Sequence, residues 1–141
     1  MPVINQAAGV VVVRREGDGW LFLVLRAYKN WGFPKGMLDA GETHFDAAIR
    51  ETTEETSIDD LAFHWGHDFR ETSPYGKSKV ARYYLAETKQ VNLILPVSPS
   101  LGKPEHDEYR WVSYEQAQEM LPPRLVLILE WVGSQLEEAE M

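Results

Sequence analysis

Three glutamates, Glu51, Glu54 and Glu55, stand at i, i+3 and i+4, and in a helix that spacing crowds three carboxylates onto one side. Like charges placed this way cost a helix a few tenths of a kcal/mol per pair. A hard cation removes that cost. Mg²⁺ takes oxygen ligands, keeps several of its waters and typically bridges one or two carboxylates to substrate phosphates. The spacing continues upstream, where Gly36 is followed after five residues by Glu42, and Glu42 after seven more by Arg50-Glu51. A solvated acidic stripe would explain the helix alone; the upstream Gly36 and Glu42 weigh against it. Metal-assisted attack on a phosphate chain is the first hypothesis.

The helix itself is legible. Thr43 is placed to cap it, with Asp46 at the third position in the role usually taken by Glu. Phe45, Ala48, Ile49 and Thr52 recur at i, i+3, i+4 and i+7, so a packing face is expected about 115° around from the acids. Before it, residues 7–15 and 20–28 are β-branched and apolar runs around Glu16-Gly17-Asp18-Gly19, where Asp-Gly signals a hairpin. Trp31-Gly32-Phe33-Pro34-Lys35-Gly36 reads as a loop. Residues 61–72, 79–87 and 108–112 read as strands, and 91–95 as a short apolar run. Ser113 with Gln116 forms a second capping box, and after Pro122-Pro123 a last helix carries Leu125, Ile128, Leu129, Val132 and Leu136 on one stripe. Trp131 is expected in the core, and the acidic end from Glu137 to Met141 is expected to fray.

Residues 36–58 resemble the signature of the Nudix hydrolases, G-x5-E-x7-R-E-U-x-E-E-x-G-U with U aliphatic, through Gly36, Glu42, Arg50, Glu51, Glu54, Glu55 and Ile58. Thr52 and Ser57 depart from it, at positions that concern packing and helix termination. Ser57 would cost about 1–2 kcal/mol in a left-handed cap. The resemblance implies an α/β fold, an α/β/α sandwich with a mixed β-sheet, as one domain over residues 1–141. It also implies a divalent cofactor, Mg²⁺ or Mn²⁺, held by Glu51, Glu54, Glu55 and the backbone carbonyl of Gly36. One carboxylate activates water, and Glu54 is the favoured base. Arg50 holds a neighbouring glutamate in place, with Glu42 its best candidate partner; both have mainly orienting roles, and direct contact of Glu42 to the metal network is left open.

WGFPKG, KSKVARYYLAE and PEHDEYRWVSYEQA extend the likeness to the asymmetrical diadenosine tetraphosphate hydrolase branch over most of the chain. By that resemblance Glu105 assists the metals or the water, Lys35 and Lys79 contact phosphate, and Tyr75 stacks on adenine. His106 either donates to a phosphate or makes a buried structural hydrogen bond. Tyr83 and Tyr84 alternate across a strand, so one of them faces the ligand, and Tyr83 is taken as that one. Without the family, Lys77 and Lys79 are plain surface charges and Tyr75 an exposed turn aromatic. Asn30 and Met37 depart from the branch, which often has histidine at both places.

Composition excludes several classes. A net charge of −8 disfavours a broad nucleic-acid or anionic-membrane surface, so a nucleotide-sized partner and no stable nucleic-acid complex are expected. There is no cysteine, which rules out thiol chemistry and fits a reducing cytoplasm. No export signal or membrane span is read, and the chain is expected as a monomer or weak dimer. The histidines lack zinc-site spacing, and no calcium-binding loop is present. Hydrolysis of diadenosine tetraphosphate to ATP and AMP is the leading expectation. An RNA 5′-pyrophosphohydrolase or another nucleoside diphosphate-X hydrolase, and a non-catalytic nucleotide-binding module of the same fold, are the alternatives.

Overall fold

The computed structural model describes residues 5–140. At its centre lies β1 (Asn5–Glu16), whose Val10, Val11, Val12 and Val13 are all fully buried. A strand covered on both faces has no use for polar alternation, so its apolar run is continuous. Along one edge β1 pairs in parallel with β6 (Lys79–Glu87). The opposite edge is shared. Val13–Glu16 pair with β2 (Gly19–Ala27), while Ala7–Gly9 pair with β4 (Lys35–Met37), both antiparallel. β3 (Asn30–Gly32) zips antiparallel onto the far end of β2. Residues 30–37 therefore fill a fork that opens between β1 and β2. β5 (Phe69–Glu71) adds to β6, and β7 (Glu108–Val112) to β2, completing a mixed seven-stranded sheet.

Successive side chains of a strand point to opposite faces. Val11, Val13, Phe22, Val24, Tyr83 and Leu85 pack under α2 (Tyr114–Met120) and α3 (Pro123–Glu140), whose stripe Leu125, Ile128, Leu129, Val132 and Leu136 is buried as expected. Val10, Val12, Leu23, Leu25 and Tyr84 pack on the other face against α1 (His44–Thr56) and Ile58. The α/β/α sandwich implied by the sequence is what forms. No helix among the described residues is long and apolar enough to cross a membrane.

Both expected caps are present. Thr43 Oγ1 accepts from the Asp46 amide at 3.1 Å, and Ser113 and Gln116 exchange side-chain and backbone bonds reciprocally. Ser57 does end α1 in the left-handed region, at φ 65, and its hydroxyl donates to the Ile94 carbonyl at 2.8 Å. A hydrogen bond contributes about 1 kcal/mol, the size of the backbone cost it offsets. Thr52 is fully buried with its hydroxyl donating to the Ala48 carbonyl at 2.8 Å, so its polarity is satisfied where an aliphatic residue is usual.

Several expectations need correction. The segment read as a loop at 31–36 contains β3 and β4, joined through Phe33-Pro34; the Pro34 carbonyl still accepts from Val10 at 3.3 Å. The hairpin turns on Gly17 (φ 59) and Asp18, one residue earlier than the Asp-Gly signal, because Glu16 and Gly19 are already paired. Of residues 61–72 only 69–71 are strand, and Ala62 makes a single bridge to Glu87. Gly66 takes φ 87, which breaks any ladder between them. The run at 91–95 is held by side chains of β7: Tyr109 Oη accepts from the Leu93 amide at 3.0 Å, and Trp111 Nε1 donates to the Val91 carbonyl at 2.8 Å. α3 continues to Glu140, against the expected fraying from Glu137; Met141 and residues 1–4, where an export signal was read as absent, lie outside the described residues.

Candidate active site

The acidic face of α1 is turned toward β4 at the fork. The packing face is not separate from it: the helix buries Ala47, Ala48, Thr52, Thr56 and also Glu55, while Phe45 and Ile49 lie at its half-buried margin. Phe45 instead leads a side cluster, stacked on His67 at 4.0 Å and tilted against Phe63. Glu51 comes down on Gly36 so closely that a Cβ there would sit 2.1 Å from its carboxylate carbon. That close approach, and no special φ, is why position 36 carries glycine.

Arg50 organises the acids. Its Nε donates to Glu42 Oε2 at 2.8 Å and its Nη2 to Glu42 Oε1 at 2.9 Å, a two-pronged pair of the strong kind. Nη1 reaches Glu51 at 2.9 Å and Glu54 at 3.2 Å, and Nη2 also holds the Met37 carbonyl at 3.1 Å. Glu42 accepts in addition from the Asp39 amide at 2.9 Å. One guanidinium thus ties the 37–42 turn to the helix. The same bonds draw the Glu42 carboxyl down to about 2, through Arg50 first and the Asp39 amide second. Glu42 is spent on Arg50 and the turn, which is the orienting role.

Glu55 is in the opposite state. Its side chain is 3 % exposed, and neither carboxylate oxygen has a hydrogen-bond partner. Burial, reinforced by the charges of Glu105 and Glu51, pushes its carboxyl up to about 10, with Lys35 opposing. Glu51 is also raised, by burial first, despite its bond to Arg50. His106 Nδ1 lies 3.3 Å from Glu55 Oε1, but the geometry makes no hydrogen bond and Nδ1 too is buried without a partner. Burial lowers the His106 imidazole. An orphaned buried carboxylate beside two further acids is what a cation would relieve. Among the described residues no three acidic or histidine side chains converge as a ready-made cage. Mg²⁺ does not need one, since it keeps waters and takes phosphate oxygens. The donor set of Glu51, Glu55 and the Gly36 backbone, with the more exposed Glu54 and Glu105, fits a divalent ion.

The fork supplies the rest. Gly9 of β1 is in register with Lys35 on one side and Tyr83 on the other. A Cβ at Gly9 would lie 2.1 Å from the Pro34 carbonyl and 2.5 Å from Lys35 Cβ. Gly9 is the residue that lets β4 close on β1 and brings Lys35 beside Glu55, and sequence reasoning missed it. The signal was there: a glycine inside an otherwise uninterrupted β run marks close backbone approach. Tyr83 is corrected. It is 1 % exposed, its ring set edge-on to Phe33 at 5.6 Å, and it offers no face to a ligand. Burial lifts its phenol well above the usual range. Tyr84 is buried as well, on the other face.

Tyr75 is no exposed turn aromatic. Its ring is half-buried against the α3-side core and carries the Arg124 guanidinium 4.1 Å above it, while its main chain exchanges hydrogen bonds with that of Lys79 at 3.0 and 2.8 Å. The Lys79 ammonium stands 5.9 Å from the same ring. Arg124 was not foreseen, because nothing local marks an arginine at the start of a helix as facing a loop some fifty residues earlier in the chain.

Comparisons with known proteins bear on the family and the fold. A family model for the NUDIX domain matches residues 4–132. The asymmetrical bis(5′-nucleosyl)-tetraphosphatase of Mus musculus is 34% identical over 124 residues, 79% of this chain and 81% of that protein. The protein of the same name from Caenorhabditis elegans is 36% identical over 123 residues, covering 82% and 83%. The crystal structure of a C. elegans Ap4A hydrolase binary complex superposes with a TM-score of 0.81 at 28% identity, covering 96% of this chain and 99% of that one. With its glutamates gathered on Arg50 and Gly36 in this sandwich, the chain belongs to the NUDIX pyrophosphohydrolase family.

Proposed function

We propose that this chain, as one hydrolase domain, cleaves dinucleoside polyphosphates with the help of a divalent cation, splitting diadenosine tetraphosphate into ATP and AMP. The observation that carries the reading is Glu55, a buried carboxyl without a partner, set between Glu51, Glu105 and Lys35. Likeness to the mouse and nematode tetraphosphatases supports the choice of substrate.

Glu51, Glu55 and the Gly36 carbonyl, with Glu54 and Glu105 near them, would hold Mg²⁺ or Mn²⁺. Such an ion neutralises non-bridging phosphate oxygens and lowers the pKa of bound water. The protein's own groups do the positioning. Arg50 fixes the directions of Glu51 and Glu54, so their carboxylates do not reorganise as charge develops. Lys35 brings a positive charge to the phosphates from the β4 side. Glu54, the most exposed of the three helix glutamates at 58 %, bonds Arg50 through Oε2 alone, and its other oxygen is placed to take a proton from an attacking water. His106 packs beside Glu55 with its Nδ1 enclosed 3.3 Å from that carboxylate, so in this arrangement that nitrogen supports Glu55 and does not reach a phosphate.

The test is product analysis. Diadenosine tetraphosphate, a 5′-triphosphorylated RNA and free nucleoside triphosphates are incubated with the protein in Mg²⁺ or EDTA. ATP plus AMP, formed only with the metal, supports the proposal. Preference for the RNA by more than about tenfold, or 1.4 kcal/mol in transition-state binding, overturns it.

A further inference from the structure

Where the β5–β6 connection meets the start of α3, positive charge gathers with nothing to neutralise it. Arg124, second residue of α3, lies 4.1 Å over the Tyr75 ring, and Lys79 lies 5.9 Å from the same ring. Among the described residues neither cation forms an ion pair, although the chain as a whole is strongly acidic. Arg124 Nε and the Tyr75 hydroxyl are both buried without a hydrogen-bond partner. Buried polar atoms are nearly always satisfied, so two orphans side by side call for a ligand or a reason. The placement is also electrostatically adverse. The first turn of α3 holds no acidic residue, and the positive end of a helix disfavours a cation. The corner adjoins the acid cleft through β1: Gly9 is in register with Lys35 on one side and with Tyr83 on the other, and Tyr75 packs on the same core layer as Tyr83.

We propose that Arg124 is a specificity-determining residue of this cleft: with Lys79 it takes the phosphates of a nucleotide chain that extend past the acidic helix. The inference rests on the hydrolase reading above for the nature of the ligand, a nucleotide bearing several phosphates. A guanidinium presents a planar fork of donors that matches phosphate oxygens in pairs, which a lysine does not. Its contact with Tyr75 is a cation–π contact, weak enough to be exchanged for a phosphate. That exchange would also free the ring face it covers. Each added phosphate brings charge within reach of Arg124 and Lys79, so selectivity grows with chain length.

The experiment is equilibrium binding of AMP and ATP, with Mg²⁺ present, to the full chain and to Arg124→Leu and Arg124→Lys. Arg124→Leu is expected to weaken ATP about tenfold while leaving AMP within about twofold, and Arg124→Lys to recover most of the loss. The ATP affinity of the unaltered chain should fall more steeply with salt than that of Arg124→Leu. Should the leucine variant unfold, Arg124→Gln carries the same comparison. Equal loss of AMP and ATP would show that Arg124 merely packs Tyr75, and the proposal fails. It fails equally if ATP binding ignores position 124, or if the unaltered chain binds no ATP. Hydrolysis of diadenosine tetraphosphate is scored separately. Cleavage with Arg124-independent ATP binding removes this inference alone, and Arg124-dependent binding without cleavage removes the activity alone.

Discussion

Glu51 rests its carboxylate on the bare Cα of Gly36, leaving no room for one methyl group between helix α1 and strand β4. Gly36→Ala must push Glu51 out of its bond with Arg50 or spread β4 from the helix. Overpacking of this kind costs about 1–3 kcal/mol. The expected result is a lower denaturation midpoint together with loss of Mg²⁺-dependent turnover. Full turnover in the alanine variant would show that the approach has no catalytic meaning.

Arg50 spends its donors on Glu42, Glu51, Glu54 and the Met37 carbonyl. A lysine keeps the charge but has no planar fork to span them. Arg50→Lys is therefore expected to lower kcat by about 10–100-fold, the usual loss when a group that orients metal ligands is removed. Steady-state kinetics across Mg²⁺ concentrations checks this; a variant with unchanged kcat would assign Arg50 to stability only.

Glu55 makes the metal-free protein sensitive to pH. Its carboxyl is pushed up from an ordinary 4.5 to about 10 by burial and by Glu105 and Glu51, with Lys35 opposing and the His106 imidazole alongside. The folded chain then holds a proton that the unfolded chain releases. Stability from this group is complete below about pH 4.5 and is lost as pH rises toward 10. The slope is at most about 1.4 kcal/mol per pH unit. In EDTA, Glu55→Gln should flatten that decline and raise Tm at pH 8. It should also abolish the rise in Tm on adding Mg²⁺, which at a hundred times Kd is worth about 2.7 kcal/mol in the unaltered chain. Thermal scans with and without the ion read both effects, and an unchanged response to Mg²⁺ would take Glu55 out of the ligand set.

Glu42 runs the other way. Held at about 2 by Arg50 and the Asp39 amide, it contributes stability that is present above its ordinary 4.5 and is lost as pH falls toward 2. Acid titration of Glu42→Gln followed by circular dichroism should show a weaker dependence over that interval than the unaltered chain.

Gly9→Ala sets a new methyl 2.1 Å from the Pro34 carbonyl, a backbone atom that cannot swing away. β4 is expected to detach, taking Lys35 and Gly36 with it. Activity should vanish, and amide exchange at Ala8, Gly36 and Leu38 should quicken. Retained activity would mean that the fork tolerates widening.

What could be read from the chain alone was whatever depends on neighbours a few residues apart. The acid spacing on α1, both caps, the β1–β2 hairpin and the stripe of α3 are set by helical and strand periodicity, and all of them formed. So was the link from Glu42 to Arg50, eight residues apart across one turn. Tertiary packing decided the rest, because burial belongs to no residue by itself. Glu55 and Glu54 are adjacent and chemically identical, yet one is enclosed and the other exposed according to which side of α1 meets the sheet. Tyr83 went to the core and Arg124 came to lie on Tyr75 for the same reason: long-range pairing of β1, β4 and β6 sets which surfaces are withdrawn from water.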